Sequence, residues 1–385
     1  MKELKLLKFI KEHNNWEELL TRDPYNLKIS RDNGYIMFKY NQLSSDFSIP
    51  EVKEARGIIF RESDWKCVCH AFDKFMNAEE PNSDLDKIDW NTASVQEKVD
   101  GSIMKVWYDN GWNISTNGVI DAFKAPLECD DKNLDSYGKL FIECLHKMGI
   151  DEHDFFGSLC TLGTYIFEMV SPYNRVVIDY NEFKLYLLGI RDNETNQEFF
   201  VDRINMHGVD GVLEKLWEMI PTPKRYKLSS YEDVVKAANE LNPDNNILNE
   251  GFVVCDDNFN RVKVKSFVYV KAHRLGNGGV VSDLKLIDLI LQGEEDEFLA
   301  YVPSCTERVN KIKCGMLMFR LKIKFIIKEL EPENFLTRKG YAEVVKTYPK
   351  HYQQFLFRYD RLEDTFNRLM PSKWKQILEA SRLLL

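Results

Sequence analysis

Apolar and polar residues follow two periods along this chain, one near two and one near 3.6, and they change over at identifiable points. Tyr35 to Tyr40 alternates and predicts a strand. Glu54 to Phe60 predicts a buried strand entered through Arg56 and Gly57. Ala93 to Glu97 is extended and delivers Lys98 to a loop. Ile103 to Tyr108 and Trp112 to Thr116 flank Asp109-Asn110-Gly111, a hairpin signal because Asn-Gly accepts the positive φ of a tight turn. Asn133 to Met148 carries Leu134, Tyr137, Leu140, Phe141 and Leu145 at helical spacing and stops at Gly149. Thr164 to Val170 predicts a strand with Glu168 among large apolar residues. After Ser171-Pro172-Tyr173-Asn174, Arg175 to Ile178 and Lys184 to Ile190 predict two more strands.

Residues 202–219 and 231–241 predict helices. Glu250 to Val254 and Arg261 to Ser266 form a second hairpin through Asp256-Asp257-Asn258. The strand period places Lys263 and Lys265 on one face. Leu275-Gly276-Asn277-Gly278-Gly279 reads as a linker. Beyond it, Ser282 caps a helix running to Gly293, Thr306 to Leu330 is helical, and shorter helices lie between Pro332, Pro349 and Pro371. The expected architecture is an α+β domain of antiparallel sheets and helices over residues 1–275, followed by a small all-α domain over 280–385.

Composition adds a few limits. With 385 residues and 44% apolar side chains, the chain can bury two cores. It has no apolar run of about 18 residues that would span a membrane. Met1 to His13 lacks a signal-peptide core and predicts an amphipathic helix through Leu4, Leu7 and Ile10, so a cytoplasmic location is expected, and the chain is expected to be a monomer. Eight cysteines show no framework spacing, and Cys67-Val68-Cys69-His70 has no second pair at zinc spacing. The net charge of −9 is unevenly spread. Thr306 to Leu385 holds 17 basic and 9 acidic residues, a net of +8, so the rest carries −17. A basic face for nucleic acid is therefore compatible with an acidic chain.

The chemistry centres on Glu97-Lys98-Val99-Asp100-Gly101-Ser102. A lysine at a strand end, aimed by a sheet, can act as a nucleophile when neutral. The ordered set Arg56, Lys98, Glu168, Glu250, Lys263 and Lys265 stands at or beside strands. With EKVDGS at 97–102, YIFEMVSPYNRVV at 165–177, EGFVV at 250–254 and KVKS at 263–266, the chain resembles the covalent nucleotidyltransferases, which include ATP-dependent DNA ligases, RNA ligases and mRNA capping enzymes. MFKYN at 37–41, ARGIIF at 55–60, DKFMN at 73–77 and the run from Glu168 through LLGIRDNETNQE narrow the likeness to the RNA ligase 1 family of T-even bacteriophages. It covers about residues 30–273.

That resemblance implies an ATP-grasp-like ligase domain and three steps. Lys98 takes AMP from ATP, the AMP passes to an RNA 5′-phosphate, and an RNA 3′-hydroxyl displaces it. Lys263 and Lys265 are implied to offset phosphate charge and to lower the Lys98 pKa. Tyr40, Arg56, Lys74, Glu97 and Glu168 are implied nucleotide contacts, with Arg175 and Tyr269 as further site residues. Glu250 is implied to hold Mg²⁺, for which Mn²⁺ can substitute, with Asp296 in the run Glu294 to Glu297 as a second ligand. The implied partners are single-stranded RNA ends, a broken tRNA anticodon loop foremost, read by the basic and aromatic helices. Two departures from the family pattern stand out: Asn117, where a basic residue is common, and Met76, where an aromatic is common. The alternatives are a DNA ligase, a capping guanylyltransferase, or a non-catalytic RNA-binding nucleotide sensor.

Overall fold

The computed structural model describes residues 4–201, 210–241, 249–267, 269–270, 281–293, 295, 298–299, 303–335 and 337–383. Contacts divide the chain into two units, residues 1–123 with 137–279, and residues 124–136 with 280–385.

The first unit is built on three antiparallel sheets. β1 (Lys28–Asp32), β2 (Tyr35–Lys39), β3 (Arg56–Arg61) and β4 (Cys67–Cys69) form a meander in that order. Its apolar face, with Phe38, Ile58 and Phe60, packs on the amphipathic helix Lys5–Glu12. That helix buries Leu6 and Ile10, with Leu4 at its cap, while Leu7 only borders the core. β5 (Ser94–Glu97) leaves for a second sheet, and β6 (Ser102–Tyr108), β7 (Trp112–Thr116), β8 (Gly163–Val170), β9 (Lys184–Asp192) and β10 (Glu198–Phe199) form the third, in the order β10-β9-β8-β6-β7. β11 (Arg225–Tyr226), β12 (Gly251–Cys255) and β13 (Arg261–Lys265) complete the sheet of β5, ordered β11-β5-β12-β13.

All eight residues of β8 are buried. Phe167 meets Phe141 and Phe155 on one side, and Ile166 meets Phe72 on the other. A strand covered on both faces reads as a continuous apolar run, and Glu168 stands inside it.

Two sequence expectations change. Arg175 to Ile178 is not a strand. The backbone N–H groups of Val177 and Ile178 donate to the Asp100 carboxylate at 2.9 and 2.7 Å, so they are spent on a side chain rather than a ladder. The helix expected from Asn133 begins at Tyr137. Before it, Leu127 and Asp135 pair through the backbone and Pro126 bridges Ser136, which holds the preceding residues in a turn. Of the helix expected over 202–219, Asp210–Met219 is described. The Gly276–Gly279 linker lies outside the described residues.

The second unit is helical. Ser282 caps Asp283–Gln292 by accepting from Lys285 N, and Gly293 ends that helix at φ +68°. The long helix Thr306–Leu330 buries Val309, Ile312, Phe319 and Ile323 at spacings of three, seven and four. Phe319 is enclosed by Tyr352, Phe355, Phe366 and Trp374. Tyr341, Tyr352 and Phe355 belong to this core, with Tyr348 and Tyr359 against it. No described helix is long and apolar enough to cross a membrane.

Candidate active site

Three strand ends meet at Lys98. The Lys98 N–H donates to Gly251 O at 2.8 Å, which sets the end of β5 against the start of β12. Ser266 N donates to Glu250 O at 2.8 Å, which brings the end of β13 to the same place. Gly251 lies opposite Lys265 in the ladder at φ +147°, and a Cβ there would stand 2.2 Å from Val264 O. Only glycine permits that approach. Gly101 is equally confined, its Cβ position being 2.3 Å from Met169 O.

The consequence is a triad of charges around a buried carboxylate. Glu250, 2% exposed, accepts from Lys98 Nζ at 2.6 Å through Oε2 and faces Lys265 Nζ at 2.9 Å through Oε1. The Lys98 side chain is 19% exposed and that of Lys265 6%. Burial and Lys265 pull the Lys98 pKa down, but Glu250 and Glu168 outweigh them and hold it above the ordinary value. The expectation that the lysine pair makes Lys98 neutral is therefore corrected for this state, because the intervening carboxylate dominates at hydrogen-bond range. Burial opposes ionisation of Glu250 in turn, yet Lys265 and Lys98 keep its pKa below the usual carboxylate range.

Asp100 anchors the surroundings. Its carboxylate accepts from Val177 N, Ile178 N and the Tyr269 hydroxyl, the last at 2.8 Å. Burial and the nearby Glu250 still raise its pKa. Ser102 accepts from Asn174 Nδ2 at 3.0 Å, which ties the loop after β8 to the start of β6. Glu168 is opposite Ile103 in the ladder and acts electrostatically on Lys98.

A second group gathers around two aromatic platforms. Lys74 Nζ lies 4.9 Å from the Tyr40 ring and 5.3 Å from Phe47, and donates to Gln42 Oε1 at 2.6 Å. Arg56 and Lys263 stand 4.9 and 5.4 Å from the Phe75 ring. Backbone bonds between Lys263 and the 76–78 segment fix this approach. β13 thus carries Lys263 to one group and Lys265 to the other, on the same face of one strand.

Not every expected residue joins. Arg175 pairs with Asp179 at 2.9 Å at the surface. Glu97 is influenced by Lys224 and Lys184, and burial raises its pKa. Asp296 lies outside the described residues. Met76 packs in the core beneath the first sheet, leaving Phe75 as the ring near the cations. Beside Asn117, the fully buried Lys105 brings its Nζ to Gly57 O, and the Gly57 Cβ position is 2.6 Å from Asn117 O and 2.8 Å from Lys105 Nζ. A lysine from the paired strand, its pKa lowered by burial, therefore stands next to the asparagine. Sequence reasoning missed Lys105, Asp100 as an anchor, and Gln42. Only Asp100 carried a signal, its place two residues after the lysine.

Carboxylate, hydroxyl and amide oxygens are the donors around Lys98, a set that suits a hard cation. Mg²⁺ commonly takes one or two carboxylates and completes its shell with phosphate oxygens. Glu250 fits as such a carboxylate once the lysines release it. Among the described residues, the acids near Lys98 do not converge into a ready-made cage; the cluster that does is exposed Asp151, His153 and Asp154.

A protein of Autographa californica nuclear polyhedrosis virus, whose name pairs a polynucleotide kinase with an RNA ligase, is 30% identical over 300 residues. The match covers 73% of this chain and 40% of that protein, so the chain spans well under half of it. The RNA ligase of Rhodothermus phage RM378 is 28% identical over 322 residues, 72% of each chain. An archaeal ATP-dependent RNA ligase structure overlaps with a TM-score of 0.43 at 13% identity, covering 74% of this chain and 69% of that one. The sequence profile of the RNA ligase family matches residues 54–271, more than half of the chain and including every residue of the Lys98 cluster, and the chain belongs to that family.

Proposed function

We propose that this protein joins RNA ends at the expense of ATP through a covalent adenylate on Lys98. The observation that carries this reading is the Lys98–Glu250–Lys265 arrangement, centred on a buried carboxylate at three converging strand ends. A lysine held there as an ammonium ion is stored rather than reactive. Drawing Glu250 away lets Lys98 lose a proton, after which burial and Lys265 both favour its neutral form. The Nζ lone pair then forms a P–N bond to the α-phosphorus of ATP, and the bond to the β-phosphate oxygen breaks with its electron pair leaving on pyrophosphate. Lys263 and Lys265 offset the charge developing on the phosphate oxygens. AMP passes next to an RNA 5′-phosphate, and a 3′-hydroxyl attacks that activated end and releases AMP.

Lys74 and Arg56, braced by Tyr40 and Phe75, are suited to the phosphate chain, and Glu168 to a ribose hydroxyl. Mg²⁺ or Mn²⁺ held at Glu250 would supply further neutralisation of phosphate charge. The Asp100–Tyr269 bond keeps the strand of Lys98 and the residues after β13 in register. We assign RNA selection to the helical unit, with broken tRNA anticodon loops as the preferred substrate. Its basic residues support this, although Lys324 already pairs with Glu363 at 2.6 Å and Lys313 with Glu295 at 3.0 Å.

Mass spectrometry after incubation with ATP and Mg²⁺ tests the reading. One added AMP on the peptide containing Lys98, absent in Lys98→Ala, is expected. Labelling that persists in the variant would falsify it.

A further inference from the structure

A cleft of about 680 Å³ opens in the first unit at the Arg261 end of β13, away from Lys265. Its wall comes from the turn between β9 and β10, the turn between β12 and β13, and the segment after β4. Lys53, Lys74, Lys87, Arg191 and Arg261 line it against Asp73, Asp84 and Glu198, five cations to three acids in a chain of net charge −9.

The acids are already engaged. Asp84 faces Lys87 at 2.8 Å and Lys53 at 3.9 Å. Glu198 takes both Arg261 and Arg191, the latter at 3.2 Å. Asp73 faces His70 at 3.0 Å. Buried donors remain beside them. Arg191 is 3% exposed and Asn196 6%, yet Arg191 Nε and Asn196 Nδ2 have no acceptor among the described residues. Buried donors left unbonded are unfavourable, and a ligand that brings acceptor oxygens relieves them.

The shape distinguishes a polymer from a small anion. Arg261, Lys263 and Lys265 occupy alternate positions of β13, so the cations recur about every 6.8 Å along one face. Arg261 and Lys263 both lie near Phe75, at 5.6 and 5.4 Å from its ring. A row of evenly placed cations leading from the cleft toward Lys98 suits a repeating anion. In the cleft wall Phe259, half-buried and held at φ +61°, stacks on Phe200 with ring centroids 4.7 Å apart. Aromatic faces beside cations are the usual surface for single-stranded nucleic acid.

We infer that this cleft seats the phosphodiester backbone of the single RNA strand whose end is brought to Lys98. The inference rests on the RNA-joining reading and adds the site where the strand lies. The test compares full-length protein with the Lys53→Glu/Lys87→Glu double variant and with the milder Lys87→Ala, which guards against a folding defect. Binding of a short single-stranded oligoribonucleotide, with either a 5′-hydroxyl or a 5′-phosphate, is measured by anisotropy across a salt series.

For the double variant, both oligonucleotides should bind roughly tenfold more weakly, and the salt slope should become shallower by about 1.4, at about 0.7 for each of two lost contacts. Self-adenylylation of Lys98 should stay unchanged, and Lys87→Ala should shift binding in the same direction by a smaller factor. The inference is overturned if both affinities stay within about twofold, or if only the 5′-phosphorylated strand is affected. It is equally overturned if inhibition by inorganic pyrophosphate changes while RNA affinity does not, since the cleft would then take a free anion. If wild-type Lys98 accepts no AMP, the RNA-joining reading fails, and the binding data still judge the cleft separately.

Discussion

Replacing Glu250 by glutamine removes the carboxylate that faces both Lys98 and Lys265 and leaves two largely buried ammonium groups without the counter-charge they share. Removing one partner of a buried ion pair commonly costs about 3–5 kcal/mol, because an uncompensated charge stays behind. Here two ammonium groups stay behind, on side chains only 19% and 6% exposed. A loss of about 3–5 kcal/mol near neutral pH is therefore expected. In the wild type, burial lowers the Lys98 pKa, but Glu250 prevails and the net shift is upward. Its stabilising contribution is thus fully present below the unfolded lysine value of 10.5 and fades only as pH rises through the higher folded value.

In Glu250→Gln the balance reverses. Burial and Lys265 pull the Lys98 pKa down against the remaining influence of Glu168. A depressed lysine destabilises the fold at low pH, and the penalty disappears as pH rises through the folded value toward the unfolded one. The gap between variant and wild type should accordingly narrow from neutral to alkaline pH. Urea unfolding at several pH values measures it, with a constant slope confirming that only stability has changed. Acylation of Lys98 by an amine-selective reagent, followed by mass spectrometry, should rise in the variant because more of the lysine is neutral. A stability loss below about 1 kcal/mol that does not vary with pH would refute the claim that Glu250 compensates two buried charges.

Lys263→Ala and Lys265→Ala should each slow lysyl-AMP formation by about 10²–10³, as loss of a preorganised charge contact does, measured by single-turnover labelling; a change under about threefold in both removes them from the chemistry. Gly251→Ala should destabilise the fold by about 3 kcal/mol or more, because its methyl would meet Val264 O at 2.2 Å at a positive φ; a melting temperature equal to wild type contradicts that contact. Tyr269→Phe leaves Asp100 without a hydroxyl donor and should cost about 1–3 kcal/mol near neutral pH. Because the lost bond favours ionised Asp100, that cost should shrink in acid, and denaturation at two pH values checks the sign.

The local periods along the chain were sufficient for most elements. Strict alternation in Arg261–Lys265 placed its lysines on one face, and a serine and a glycine at the ends of Asp283–Gln292 marked its limits. The lysine proposed as nucleophile and its acids were legible through the order of motifs shared with a known family, since a lysine before a glycine-bearing loop is a weak signal by itself and only a glutamate within an apolar strand demands a partner. These are short-range facts, and a side chain's place on its own strand comes from backbone geometry alone.

Tertiary structure decided what touches what. That Glu250 holds Lys98 as a cation depends on hydrogen bonds joining residues more than 150 positions apart, and no pattern within either segment encodes that distance. Asp100 captures the backbone of Val177 and Ile178, so a segment with the composition of a strand becomes a loop. Lys105 comes beside Asn117 only because β6 and β7 pair in a register that sets Lys105 against Ser115. The cleft around Arg191 and Asn196 arises where three loops from separate parts of the chain close on one another. Propensity and period act along the chain, whereas the protonation of a lysine and the donors left over in a cleft are set by charges and acceptors brought together across it.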